Sequence, residues 1–157
     1  MASIVKWDER LGPAGNARQV LPGLAADYFA RVREALAKGA DPGKLHRLRL
    51  GAKKLRYTLE LFRPCYGPGL EARIQALQHL QQLLGDVSDC VAAARVIGGS
   101  LKHSPRRARL EKMLDQRANA AARHFHEHWT RTFDAPGEEG RWTRYLAREA
   151  RAPRRRM

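Results

Sequence analysis

Apolar residues recur along most of this chain every three or four positions, the spacing of amphipathic helices. Leu24, Tyr28, Val32 and Leu36 repeat every fourth residue, and Pro22 suits a first-turn position, so a helix is predicted over about residues 22–38, closed by Gly39. Asp41-Pro42 then offers a capping side chain followed by a ring that fits the first helical position. The second helix places Leu45, Leu48, Ala52, Leu55 and Leu59 on one face and ends near Phe62, before Pro64 and Gly67-Pro68-Gly69. A third helix is predicted over about residues 70–84, with Ile74, Leu77, Leu80, Leu83 and Leu84 inward. Gly85-Asp86 reads as an interruption, with Asp86 or Ser88 capping a short fourth helix through Ile97. Gly98-Gly99 marks a turn. Ser104-Pro105 repeats the cap-plus-proline device and opens a helix to about Phe133, with Leu110, Met113, Leu114, the Arg117 stem, Ala121, Phe125 and Trp129 inward.

No alternation of β-branched residues persists, so no strand is predicted. The expected fold is all-α, an antiparallel bundle of four to five main helices with short connections. Residues 1–21 read as an irregular N-terminal arm and residues 22–133 as the bundle. Residues 134–157 read as a basic tail holding a short helix through Ala150 and a solvated end at residues 151–156.

Charge changes the picture most. Thirty Lys and Arg against sixteen Asp and Glu leave a net charge of +14. A domain this basic repels itself unless an acidic partner relieves it, which points to nucleic acid, polyphosphate or an anionic membrane surface. No apolar run approaches the roughly 20 residues that span a bilayer, and the first fifteen residues lack a signal-peptide core. A cytoplasmic location is the expectation. Cys65 and Cys90 are far apart with no C-x-x-C spacing, so they read as small apolar fillers in a reducing compartment.

The cations are concentrated on the second helix. Lys44, Arg47, Arg49, Lys53, Lys54 and Arg56 fall within thirteen residues that contain no acid. At about 100° per residue, His46, Arg49, Lys53 and Arg56 form a stripe beside the apolar face. Tyr57 and Glu60 border that stripe, while Lys54 and Arg47 lie on the other polar side. Like charges one turn apart destabilise a helix by about a few tenths of a kcal/mol per pair, a cost that an extended polyanion removes. Arginine forks bind phosphate oxygens bidentately, lysine adds a mobile charge, and His46 donates a hydrogen bond in either protonation state. Glu60 is expected to pair with Arg56 or Arg63.

Residues 46–62, with His46, Arg49, Lys53, Lys54, Arg56, Tyr57 and Glu60 in place, resemble the signature helix of the CHAD family, the conserved-histidine α-helical domain. A second patch, running from Leu77-Gln78 through Leu84-Gly85-Asp86 to Asp89, is similar to the family's downstream Leu-Gln…Leu-Gly…Asp segment. The resemblance covers about residues 22–133. It implies a helical bundle that binds inorganic polyphosphate through basic residues, with no catalysis and no cofactor. His46, Arg49, Lys53 and Arg56 are the matching motif positions, and Lys54 and Tyr57 also match. Family members usually contain two similar four-helix halves, whereas this chain has room for one. The resemblance therefore implies that a homodimer replaces the missing half.

Other readings compete. Nonspecific nucleic-acid binding suits the charge, but aromatic residues make up only 7%, which is few for base stacking. An accessory unit of a phosphate-processing enzyme is a further alternative. There is no P-loop, and Gly98-Gly99-Ser100 lacks the required lysine. His124 and His128, with His126 between them, have the one-turn spacing of a metal pair but no evident third ligand, so a polar surface role is expected. Asp86 and Asp89 are expected to cap a helix rather than hold Mg²⁺.

Overall fold

The computed structural model describes residues 6–152. It contains five α-helices: α1 Pro13–Ala37, α2 Pro42–Leu61, α3 Pro68–Ser100, α4 Pro105–Arg131 and α5 Glu138–Arg148, with a 3-10 turn at Arg63–Cys65. There is no strand among the described residues. Helices α1 to α4 each carry proline in the first turn, where its missing N–H has no intrahelical partner to lose. The Asp41 carboxylate accepts from the Lys44 N–H at 2.8 Å and the Ser104 hydroxyl from the Arg107 N–H at 3.1 Å, so both predicted caps form. Gly39, at φ +72°, closes α1 in a left-handed conformation that other residues adopt at a cost.

Successive helices run antiparallel: α2 packs between α1 and α3, α4 lies on α3, and α5 returns along α1. The α2 face predicted from the pattern is buried as expected, with Leu45, Leu48, Ala52, Leu55 and Leu59 all in the core. Gly51 lets α1 and α2 approach closely, because a Cβ there would lie 3.1 Å from the Tyr28 ring. The Tyr28 hydroxyl donates to the Leu48 carbonyl at 3.1 Å, satisfying a buried polar tip.

Several sequence expectations are corrected. Helix α1 begins at Pro13, so residues 13–21 are not an irregular arm, and Pro22 lies inside the helix. Ala14, Ala17, Leu21 and Ala25 are buried on one face; this packing offsets the hydrogen bond that the proline removes. Asn16 is buried and holds the entry, its amide donating to the carbonyls of Asp8, Leu11 and Gly12. Residues 1–5 of the predicted arm lie outside the described residues.

Helix α3 runs without a break through Gly85-Asp86 and on through Gly98-Gly99, where a turn was expected, to Ser100. Glycine costs a helix interior only about 1 kcal/mol, and Leu84 and Val87 on either side are buried. Asp86 and Asp89 therefore stand mid-helix rather than at a cap. On α4, Met113 and Arg117 are exposed rather than inward.

The predicted tail is part of the bundle. Trp142, Leu146 and Ala150 are buried. Phe29 sits at the centre of an aromatic cluster, with ring centroids 5.3 Å from Trp129, 5.7 Å from Phe133 and 5.6 Å from Trp142. Arg33 clamps the same region, donating to Asp134 at 2.8 Å and Glu139 at 2.7 Å. Of the predicted solvated basic end, residues 153–157 lie outside the described residues; Arg151 and Ala152 are exposed.

Candidate functional site

The buried leucine row of α2 fixes which of its cations face which neighbour. On one flank, Arg49 and Arg56 line a shallow groove between α2 and α3 whose other wall is Gln78, Gln81, Gln82, Gly85, Asp86 and Asp89. Gly85 is buried, and a Cβ added there would touch the Arg49 guanidinium at 3.7 Å. The glycine that looked like a helix break instead lies where the Arg49 head rests against α3, at ordinary contact distance. The Arg56 side chain is only 16% exposed and lies 3.7 Å from Glu60, so the expected pairing forms at long range. Arg63 pairs with Glu71 at 3.1 Å instead.

Lys53 and His46 are exposed on the solvent edge of the same flank. Tyr57 is 47% exposed and lies beside two cations, 5.6 Å from the Lys53 ammonium and 4.7 Å from the Arg56 guanidinium. Its ring orients those side chains through cation–π contact. Among the described residues, no carboxylate lies within 4.0 Å of Arg49 or Lys53. The buried Arg56 Nε donates no hydrogen bond to the protein and the buried Gln81 Oε1 accepts none, both in the groove wall. Buried polar atoms are normally satisfied, and the same open capacity recurs outside the groove at Arg73 Nε and Trp129 Nε1.

The stripe is thus brought together along one groove: Arg49 and Arg56 inside, His46 and Lys53 on the rim, Tyr57 bordering. Lys54 is not with them. It faces α1 beside Tyr28 and Arg31. Sequence reasoning placed Lys54 on the other polar side but did not identify Gln78, Gln81 and Gln82 as a polar wall. Their i, i+3, i+4 spacing opposite the leucine row of α3 was the available signal. Asp86 and Asp89 were read as caps and are groove residues instead. They place negative charge at the Arg49 end.

The histidine string of α4 divides. His128 packs edge-on against His79 of α3, with centroids 4.7 Å apart, and against Phe133. Burial, then the neighbouring His79 and Arg131, lower its pKa below the ordinary imidazole value. His126 lines a separate surface depression with Arg123, Glu127 and Arg131, and His124 is exposed. No cluster of three or more metal-ligating side chains occurs among the described residues. Cys65 is buried and Cys90 half-buried, both free thiols. Among the described residues, no helix is long and apolar enough to cross a membrane.

A family model described as the CHAD domain matches residues 2–98, well over half of the chain. The match contains α1, α2 and nearly all of α3, hence both walls of the groove. No curated protein and no solved structure matches the chain.

Proposed function

The chain belongs to the CHAD family, and from that premise we propose that it is a polyanion-binding module whose ligand is inorganic polyphosphate. The observation that supports this most is the groove flank of α2, where Arg49, Lys53 and Arg56 stand in one row and, among the described residues, Arg49 and Lys53 form no ion pair. Such a row suits a chain of phosphates. The guanidinium forks take oxygens bidentately, Lys53 follows as a mobile charge, and His46 donates from the rim. Polyphosphate offers no base edges to read, and the glutamine wall supplies donors without adding repulsion. The module works by binding and not by catalysis, and needs no cofactor.

Nucleic acid is the second reading, favoured by one feature: Tyr57 is an exposed ring flanked by cations, a platform on which a base can stack. Calorimetric titration at two salt concentrations separates the two, with long-chain polyphosphate set against single-stranded DNA of matched charge. Tight polyphosphate binding with weak DNA binding, both falling with salt, supports the proposal. Equal binding of both ligands transfers the function to nonspecific nucleic-acid binding.

The same reading includes a homodimer. Leu50, Tyr57 and Leu61 stand exposed on the outer crest of α2, with Leu61 79% exposed. Pairing two copies there sets two basic stripes beside one another. Light scattering behind size exclusion checks this, and a monomer mass refutes it.

A further inference from the structure

The flank of α2 opposite the groove carries cations that the stripe does not use. Lys54 lines one depression along the α1–α2 seam, together with Arg31, Gly51 and Thr58. Lys44 and Arg47 line the next, together with Arg31 and Lys38. Arg31 belongs to both, so the positive line is continuous from Lys54 to Lys44, a rise of about 15 Å along the helix. Acids are present but few: Glu34 is held by Lys38 at 2.8 Å, and Asp27 lines the Lys54 end. In the depression lined by Lys44 and Arg47 the carboxylate is that of Glu34, which Lys38 already holds. The exposed crest of Leu50, Tyr57 and Leu61 separates this seam from the α2–α3 groove. The two flanks are therefore distinct tracks and not one broad patch.

We infer that the α1–α2 seam is a second polyanion track, so that a long polyphosphate engages both flanks of α2 while a short one fills a single flank. This rests on the polyphosphate reading above. Once one flank holds a chain, the other meets a tethered segment at high effective concentration, and affinity rises with chain length without any new kind of contact. Adjacent Lys53 and Lys54 lie on opposite flanks of α2, one for each track.

The test titrates the full chain with tripolyphosphate and with long-chain polyphosphate, in two variants. One is Arg31→Gln with Arg47→Gln; the other is Lys44→Gln with Lys54→Gln, which approaches the track from its two ends so that a folding defect in one variant does not decide the result. Each variant is expected to lose about tenfold in long-chain affinity and to show a salt slope shallower by about 1.5. Tripolyphosphate stoichiometry should fall from about two per chain to about one, with the remaining site unchanged. Long-chain affinity equal to that of the unaltered chain in both variants overturns the second track and leaves the groove reading intact. If an Arg49→Ala, Lys53→Ala, Arg56→Ala triple variant keeps full affinity while the seam variants lose theirs, the groove reading falls and the seam stands as the binding site.

Discussion

Arginines near α5 and arginines along α2 live in opposite surroundings. Arg33 bridges Asp134 and Glu139. Arg73 donates to the Gly69 carbonyl at 2.9 Å, and its guanidinium lies 4.0 Å from the Tyr145 ring centroid. Those cations are committed to the protein's own acids, carbonyls and rings, and they tie α5 to the rest. Among the described residues Arg49 and Lys53 form no ion pair, with Asp86 and Asp89 only lining the same groove, and Arg56 has a distant Glu60. What an arginine does here is decided by what the fold brings beside it: the stretch around α5 carries Asp134, Glu138 and Glu139, whereas residues 44–56 contain no acid.

The comparison sharpens or breaks under a graded series of changes. The largest effect is expected from Phe29→Ala, which empties the centre of the aromatic cluster. Chemical denaturation should show a loss of about 3–5 kcal/mol, while the folded fraction still binds polyphosphate. Arg73→Ala comes next. It removes a stacked, hydrogen-bonded guanidinium, and stability should drop by about 1–2 kcal/mol with polyphosphate affinity unchanged. A binding loss there would erase the distinction between the two regions.

Charge within the groove gives a smaller effect of opposite sign. Asp86→Asn with Asp89→Asn takes negative charge from the groove wall near Arg49. Polyphosphate affinity should rise severalfold, about 1 kcal/mol, at low salt, and by less at high salt. A fall would mean that these carboxylates position the arginines.

The smallest effect concerns pH. The folded protein resists protonation of His128, first through burial and then through His79 and Arg131. An unfolded chain takes up that proton near pH ~6.5. The contribution is therefore present above that pH and lost below it. The melting temperature should fall between about pH 7.5 and 5.5, and His128→Gln should shrink that fall. An identical fall in the variant would place the cause elsewhere.

Helix α2 was legible in full, because Asp41-Pro42, the leucine row and Pro64 all agree on its limits. The start of α1 was hidden because Pro22 resembles a first-turn proline as well as Pro13 does; only the burial of Ala14, Ala17 and Leu21 distinguishes them. Gly85 carried a breaker signal locally and a packing role globally, since it lies against Arg49 from another helix. The cationic stripe followed from helical periodicity, but its wall did not. The glutamines and aspartates of α3 acquire their role only when α3 docks antiparallel on α2. The place of α5 depended on Trp142 meeting Phe29, a contact between residues over a hundred positions apart that no local pattern records.

The most direct measurement is titration of long-chain polyphosphate into the Arg49→Ala, Lys53→Ala, Arg56→Ala variant beside the unaltered chain, with helicity followed by circular dichroism. Loss of affinity by at least about a hundredfold with unchanged helicity is the expected result, each charge-assisted contact contributing about 1.5–3 kcal/mol. Undiminished affinity in a folded variant would contradict the assignment of the α2–α3 groove as the binding site.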